Sequence, residues 1–161
     1  MTDCRLKIGL DYHGVIDKKP EYFAEFCTLA RQHGHRIYII TGGPEIKVKE
    51  YLKSAHIPYD FIFAILDYYQ ALGKTTMDAD GSIAVPDELW NKAKADFCRR
   101  NRINIHIDDS CEYLHWFSTP FCLYEHSGDV CYLSPGIEVD LRCPPAEVLA
   151  KIECVAKNLP V

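Results

Sequence analysis

Strand-like and helix-like stretches alternate along nearly the whole chain. That rhythm restricts the fold more than any other feature, because strands separated by helices pair in parallel and need cover on both faces. A first strand of about six residues ends at Leu10, with Leu6, Ile8 and Leu10 alternating with Lys7 and Gly9. Pro20 opens a helix through about His33, where Tyr22, Phe23, Phe26, Leu29 and Ala30 fall at helical spacing and Gly34 is the stop. Arg36–Thr41 reads as a second strand, and Pro44 as the first position of a helix to about Ala55. Tyr59–Ile65 is a third strand, nearly continuous in apolar character as a buried parallel strand would be. Pro86 starts a helix to about Asn101, with acids in its first turn and Arg99, Arg100 and Arg102 at its end, as the helix dipole favours. Ile103–Asp108 is a fourth strand, and Ser110 is placed to cap a short helix over 111–118. Pro120–Glu125 and Asp129–Leu133 read as short strands around Ser127-Gly128. Pro144–Leu159 is a last helix with Val148, Ile152, Val155 and Leu159 on one stripe. The expected architecture is a three-layer, Rossmann-like α/β sandwich around a mainly parallel five-stranded sheet.

Residues 66–85 interrupt the rhythm and read as irregular, with a small hairpin around Asp78-Ala-Asp80-Gly81. A calcium loop there fails, because its required glycine would fall on Ile83 and its bidentate acid on Leu89. The chain therefore reads as one domain over 1–161, with 66–85 a small flap and no full cap domain.

Composition sets outer bounds. An apolar fraction of 48% suits one globular core. A net charge of −5 does not indicate a nucleic-acid reader, which usually shows a basic face. No run of 18 apolar residues exists, so no membrane span is expected. The first residues lack a signal-peptide core, which makes a cytoplasmic location the expectation. The eight cysteines contain no C-x-x-C pair and read as small core hydrophobes. Cys122, His126 and Cys131 have metal-binding side chains at a spacing that matches no standard zinc pattern, and a hairpin explains them better.

Three polar clusters fall at the C-terminal ends of three strands: Asp11-x-His13-Gly14, Thr41-Gly42-Gly43 and Asp108-Asp109-Ser110. In a parallel sheet those ends converge on one crevice. Converging carboxylates suit a hard dication such as Mg²⁺. A threonine hydroxyl followed by glycine N–H groups at a helix start suits a phosphate. Metal, phosphate cradle and a free carboxylate together are the equipment of phosphoryl transfer.

These stretches resemble the haloacid dehalogenase superfamily. Ile8-Gly-Leu-Asp11-Tyr-His13-Gly14-Val15 is similar to its first motif, an apolar strand ending D-x-D-G-x-T/V. Ile39-Ile-Thr41-Gly42 is similar to the second, and Ile105-His-Ile-Asp108-Asp109-Ser110 to the fourth. The third motif is a lone lysine near the start of the preceding helix, for which Lys92 fits best and Lys94 next. The resemblance implies an aspartyl-phosphate on Asp11 and a Mg²⁺ held by Asp11, the main-chain carbonyl of His13 and Asp109, with Asp108 beside it. It further implies that Thr41, the Gly42 N–H and Lys92 or Lys94 hold the phosphoryl group, and that Lys92 balances its charge.

One departure concerns His13, which stands where the family's phosphatases carry an Asp as general acid/base. Imidazole, with an unperturbed pKa near ~6.5, is able to do that work but reaches differently. Two function classes follow: a Mg²⁺-dependent phosphatase with His13 as acid/base, or a Mg²⁺- and phosphate-binding or protein-interaction module impaired by His13. A receiver domain is disfavoured, because its paired acids follow the first strand and here they follow the fourth. Without a cap the crevice is expected to be open. That suits a phosphorylated macromolecular substrate, or a homo-oligomer in which a neighbour covers the site. Tyr68, Tyr69 and Trp90 are then either substrate contacts or partly buried packing residues.

Overall fold

The computed structural model describes residues 5–125, 130–133 and 137–158. Its elements are β1 (Lys7–Leu10), α1 (Pro20–Gln32), β2 (Arg36–Thr41), α2 (Glu45–Ser54), β3 (Phe61–Ala64), α3 (Ile65–Ala71), β4 (Thr76–Met77), β5 (Ile83–Ala84), α4 (Asp87–Asn101), β6 (Ile105–Asp108), β7 (Phe121–Glu125), β8 (Val130–Leu133), β9 (Ile137–Asp140) and α5 (Pro145–Asn158). The main sheet has the order β3-β2-β1-β6-β7-β8-β9. The first five of these are parallel, and β8 and β9 extend the sheet antiparallel.

Alternation sorts the side chains. Ile8, Leu10, Ile37, Ile39, Ile105 and Ile107 face one way and are covered by Phe23 and Phe26 of α1, Val48 and Leu52 of α2, and Val148 and Ile152 of α5. Tyr38, Ile40 and Phe63 face the other way and meet Ile65 and Tyr69 of α3 and Ala93 and Cys98 of α4. The chain winds outward from β1 through β2 to β3, then returns to the other side of β1 with β6. The reversal between β1 and β6 opens a crevice at their C-terminal ends, where open α/β sheets bind ligands.

The structure departs from the sequence reading at several places. Residues 65–71 form α3 rather than irregular chain, so β3 stops at Ala64. A short apolar run does not by itself distinguish strand from buried helix, and here the Leu66 N–H donates to Gly42 O at 3.0 Å and turns the chain at once. Pro44 is extended and precedes α2 rather than opening it. Ser110 precedes a 3-10 helix over Cys111–Trp116 without a side-chain cap. The strand β9 was not foreseen. Of the cysteines, Cys27, Cys98 and Cys122 are core residues as expected, whereas Cys111 and Cys154 are exposed. Ser127-Gly128, Asp129, His126 and Leu159 lie outside the described residues, as does the side chain of Cys131, and with them the Cys122–His126–Cys131 reading.

The flap is the two-stranded hairpin β4–β5. Its turn is tied by Ser82, whose hydroxyl donates to Asp80 Oδ1 at 2.6 Å, so these acids close the turn rather than a calcium loop. Among the described residues no helix is long and apolar enough to cross a membrane.

Candidate functional site

Asp11 continues β1 by one step, its N–H donating to Ile107 O of β6 at 2.9 Å. Asp108 ends β6 on the adjacent strand. The two carboxyl groups are bridged by one ammonium: Lys94 Nζ lies 3.0 Å from Asp11 Oδ1 and 2.7 Å from Asp108 Oδ2. All three side chains are buried. Lys94, the second choice from sequence, is therefore the lysine that reaches the acids. Lys92 stands two residues earlier on α4, about 200° around the helix. It is half-buried and makes no ion pair with them.

Hydrogen bonding divides the carboxylates by role. Asp108 is saturated: Oδ2 receives Lys94 and lies 3.0 Å from His106 Nε2, and Oδ1 accepts the Ser110 N–H at 3.0 Å. Asp11 uses only Oδ1, which accepts the Tyr12 N–H at 2.8 Å beside the Lys94 contact. Asp109 comes close because residue 14 is a glycine. At Gly14, with φ +79, an added Cβ would stand 2.0 Å from Asp109 Oδ2. Asp11, Asp108 and Asp109 each offer an oxygen within 4.8 Å of the others.

The charges follow from this geometry. Burial, with Asp108 and Asp109 adding to it against Lys94, raises the Asp11 carboxyl to about 7. Burial opposes ionisation of Asp108 as well, but the His106 hydrogen bond and the Lys94 charge hold it well below the usual carboxylate range. Burial also works against the Lys94 charge, and the two aspartates outweigh it and raise its pKa. His106 is fully buried, and burial lowers its pKa. The ring is therefore neutral, donates through Nε2 to Asp108, and stacks on Phe117 with centroids 5.3 Å apart.

Across the crevice, Thr41 is fully buried at the end of β2, and its Oγ1 accepts the Gly43 N–H at 3.3 Å. The β1–β2 register, Leu10 to Ile39, places Thr41 one residue beyond the position opposite Asp11. Trp90 lies over Gly42, where a Cβ would meet its ring at 2.8 Å, and Trp90 Nε1 donates to Tyr113 OH at 3.1 Å. The Glu45 N–H at the start of α2 is taken by Asp67 Oδ2 at 2.8 Å. The main-chain donors of that loop are thus partly occupied. Tyr69 is buried in the second core, and Tyr68 packs on Phe63 at 5.3 Å, so Trp90 is the residue of those three that reaches the crevice. His13 is exposed, its ring edge-on to Tyr12 at 4.7 Å, and no hydrogen bond fixes its imidazole among the described residues.

A hard dication fits this donor set in one way. Asp11 Oδ2 and the Asp109 carboxylate lie near one another as oxygen donors, whereas Asp108 already serves Lys94, His106 and Ser110. Sequence reasoning passed over His106 and Asp67. His106 had a readable signal: a histidine in an otherwise apolar strand, two residues before Asp108 and so on the same face. Asp67 had none, because it acts from a helix that the sequence did not reveal.

A second group of metal-binding side chains is His33, His35 and Glu153. The Leu6 N–H donates to His35 Nδ1 at 3.1 Å, so the proton of the neutral ring sits on Nε2, which is 2.7 Å from Glu153 Oε1. A metal on Nε2 would displace that proton and leave an imidazolate. Ligating histidines instead donate through their second nitrogen. This group is a hydrogen-bonded clasp between α5 and the start of β2.

The fold and site define a doubly wound α/β protein with an acid-lysine crevice at its topological switch point. No protein-family model matches the chain, and no curated protein matches it. Among solved structures, the crystal structure of a glycosyltransferase from Rickettsia africae ESF-5 is similar with a TM-score of 0.43 and 15% identity. The match covers 73% of this chain and 29% of that one. Likeness at that level carries no argument about activity.

Proposed function

We propose that the protein is a Mg²⁺-dependent phosphomonoesterase of the haloacid dehalogenase type, working through a phosphorylated Asp11. The observation that supports this reading is the division of labour at Asp11. Its Oδ1 is held by Lys94 and the Tyr12 N–H, while Oδ2 has no hydrogen bond among the described residues and lies near Asp109. A bound Mg²⁺ would supply charge neutralisation for the phosphoryl oxygens. An oxygen of the Asp11 carboxylate attacks phosphorus, the ester oxygen leaves with a proton, and water then cleaves the acyl-phosphate to return Asp11 and release phosphate. Lys94 works against burial in favour of the ionised form of Asp11 and faces the developing charge. Thr41 and Gly42 border the phosphoryl group. His13, exposed beside Tyr12, serves in this reading as proton donor to the leaving oxygen and then as base toward water.

The small hairpin leaves the crevice open, so the substrate is a phosphorylated macromolecule or the site is completed by a second copy. Met77 and Ile83 of the hairpin, 75% and 41% exposed, would meet either one. A cytoplasmic location is part of this reading.

The test is hydrolysis of p-nitrophenyl phosphate with and without EDTA. Activity should require Mg²⁺, and Asp11→Asn should lower it roughly 10⁴-fold or more. Full turnover in chelator would refute the metal's role. The exposed, unanchored imidazole of His13 favours a second reading, a binding module with a disabled site. Absence of activity in the parent together with its appearance in His13→Asp would select that reading.

A further inference from the structure

We propose that the protein carries a second anion site, for a small multivalent oxyanion, at the end of the sheet opposite Asp11. An open cleft of about 690 Å³ lies there, between the end of α1 and the connection from α2 to β3. It is separated from the crevice by the length of β2, since Arg36 begins that strand and Thr41 ends it, roughly 16 Å apart.

The side chains of Gln32, Arg36 and His56 line the cleft and have no hydrogen-bond or ion partner among the described residues. Arg31 is aimed across it by Asp60, whose Oδ1 takes one guanidinium nitrogen at 3.3 Å while Oδ2 accepts the Ile37 N–H at 2.8 Å. Asp60 is thus spent in holding Arg31 and β2. Two guanidinium forks on one cleft suit an oxyanion with two or more charges, and with Asp60 paired to Arg31 the cleft keeps the Arg36 charge without an acidic partner among the described residues, on a chain whose net charge is −5.

The backbone adds an independent sign. His56 has φ +55 in the turn that ends α2, a conformation in which glycine is the least costly residue. Gly34, also with positive φ, fills the corresponding place after α1. At residue 56 an imidazole is held over the cleft at a conformational cost. The last carbonyls of both helices are paired internally. Carbonyls of Leu29, Ala30 and Arg31 accept the N–H groups of His33, His35 and Gly34, and those of Leu52 and Lys53 accept the N–H groups of Ile57 and His56.

The experiment is an amide NMR titration of the full chain with sodium pyrophosphate, and separately with citrate, in EDTA and at matched ionic strength. Saturable shifts of the Gly34, Arg36 and His56 amides are expected, with Kd raised about tenfold or more by Arg36→Ala and by His56→Gly. His56→Gly removes the ring while easing the backbone, so weaker binding there does not reflect lost folding. Preference for pyrophosphate identifies a phosphoryl ligand, and preference for citrate a polycarboxylate. Unsaturable shifts, equal Kd in parent and variants, or shifts confined to the amides around Thr41 and Lys94 would each overturn the proposal. None of these readouts depends on phosphatase activity.

Discussion

Among the described residues, two clusters bring three metal-capable side chains together, and they differ in what their lone pairs are doing. In the Asp11–Asp108–Asp109 group, Lys94 and main-chain N–H groups engage Asp108 and one side of Asp11, and Asp11 Oδ2 stays near the Asp109 carboxylate. In the His33–His35–Glu153 group, the Leu6 N–H fixes the tautomer of His35 and points its proton at the glutamate. Proximity of ligand types is common to both. Candidacy for a cation is decided by the hydrogen bonds already made.

The largest effect that could break this comparison is expected at Lys94. Lys94→Met leaves two buried carboxyl groups without their shared cation and should cost about 3–5 kcal/mol in urea unfolding. Lys92→Met should stay within roughly 0.5 kcal/mol of the parent. Equal costs would show that the ammonium does not bind the site together. Next in size, Asp109→Ala should weaken Mg²⁺ binding measured by calorimetry by roughly 10- to 100-fold. Asp108→Ala should weaken it less, because Asp108 serves Lys94. Equal losses would return Asp108 to the metal.

The pH dependence sharpens the same distinction. The Asp11 carboxyl, raised to about 7, must lose its proton before it can ligate. Mg²⁺ affinity should therefore fall about tenfold for each pH unit below 7 and level off above it. The raised pKa also means that Asp11 contributes stability to the metal-free protein that is fully present below the ordinary carboxylate range and is lost as pH rises through about 7. A Mg²⁺ affinity flat between pH 5 and 8 would place the cation away from Asp11. The smallest effect concerns the clasp. Burial raises the Glu153 pKa, but its hydrogen bonds to His33 and His35 outweigh that and lower it. Its contribution is thus present above the ordinary glutamate pKa and fades in more acidic solution. Glu153→Ala should cost about 1–3 kcal/mol by leaving the buried His35 N–H unpaired. It should leave zinc binding unchanged, and a lost zinc signal would make the clasp a metal centre after all.

Much of this was readable before any coordinates. β2 and the parallel strands flanking it follow from apolar runs bounded by glycine, proline and acids, and the acidic ends of β1 and β6 were in view from the start. What escaped has physical reasons. The run through Ile65 is apolar under either periodicity, so α3 was hidden inside it, and Asp67 with it. Choosing between Lys92 and Lys94 needed the rotational setting of α4, which Trp90, Lys94 and Cys98 fix by lying one turn apart on its inner side. His106 was passed over because a histidine inside a strand has many uses, and only its partner Asp108 discloses this one.

Gly9, in the middle of β1, carries a burden that its lack of a side chain conceals. A methyl group there would meet His106 Nδ1 at 2.8 Å and Ile40 Cδ1 at 2.9 Å. Gly9→Ala would therefore act as a wedge, tilting the imidazole off Phe117 and turning Asp108 from behind, with no change at any residue that touches the crevice. The reach of the site into the sheet is one strand deeper than its polar groups suggest.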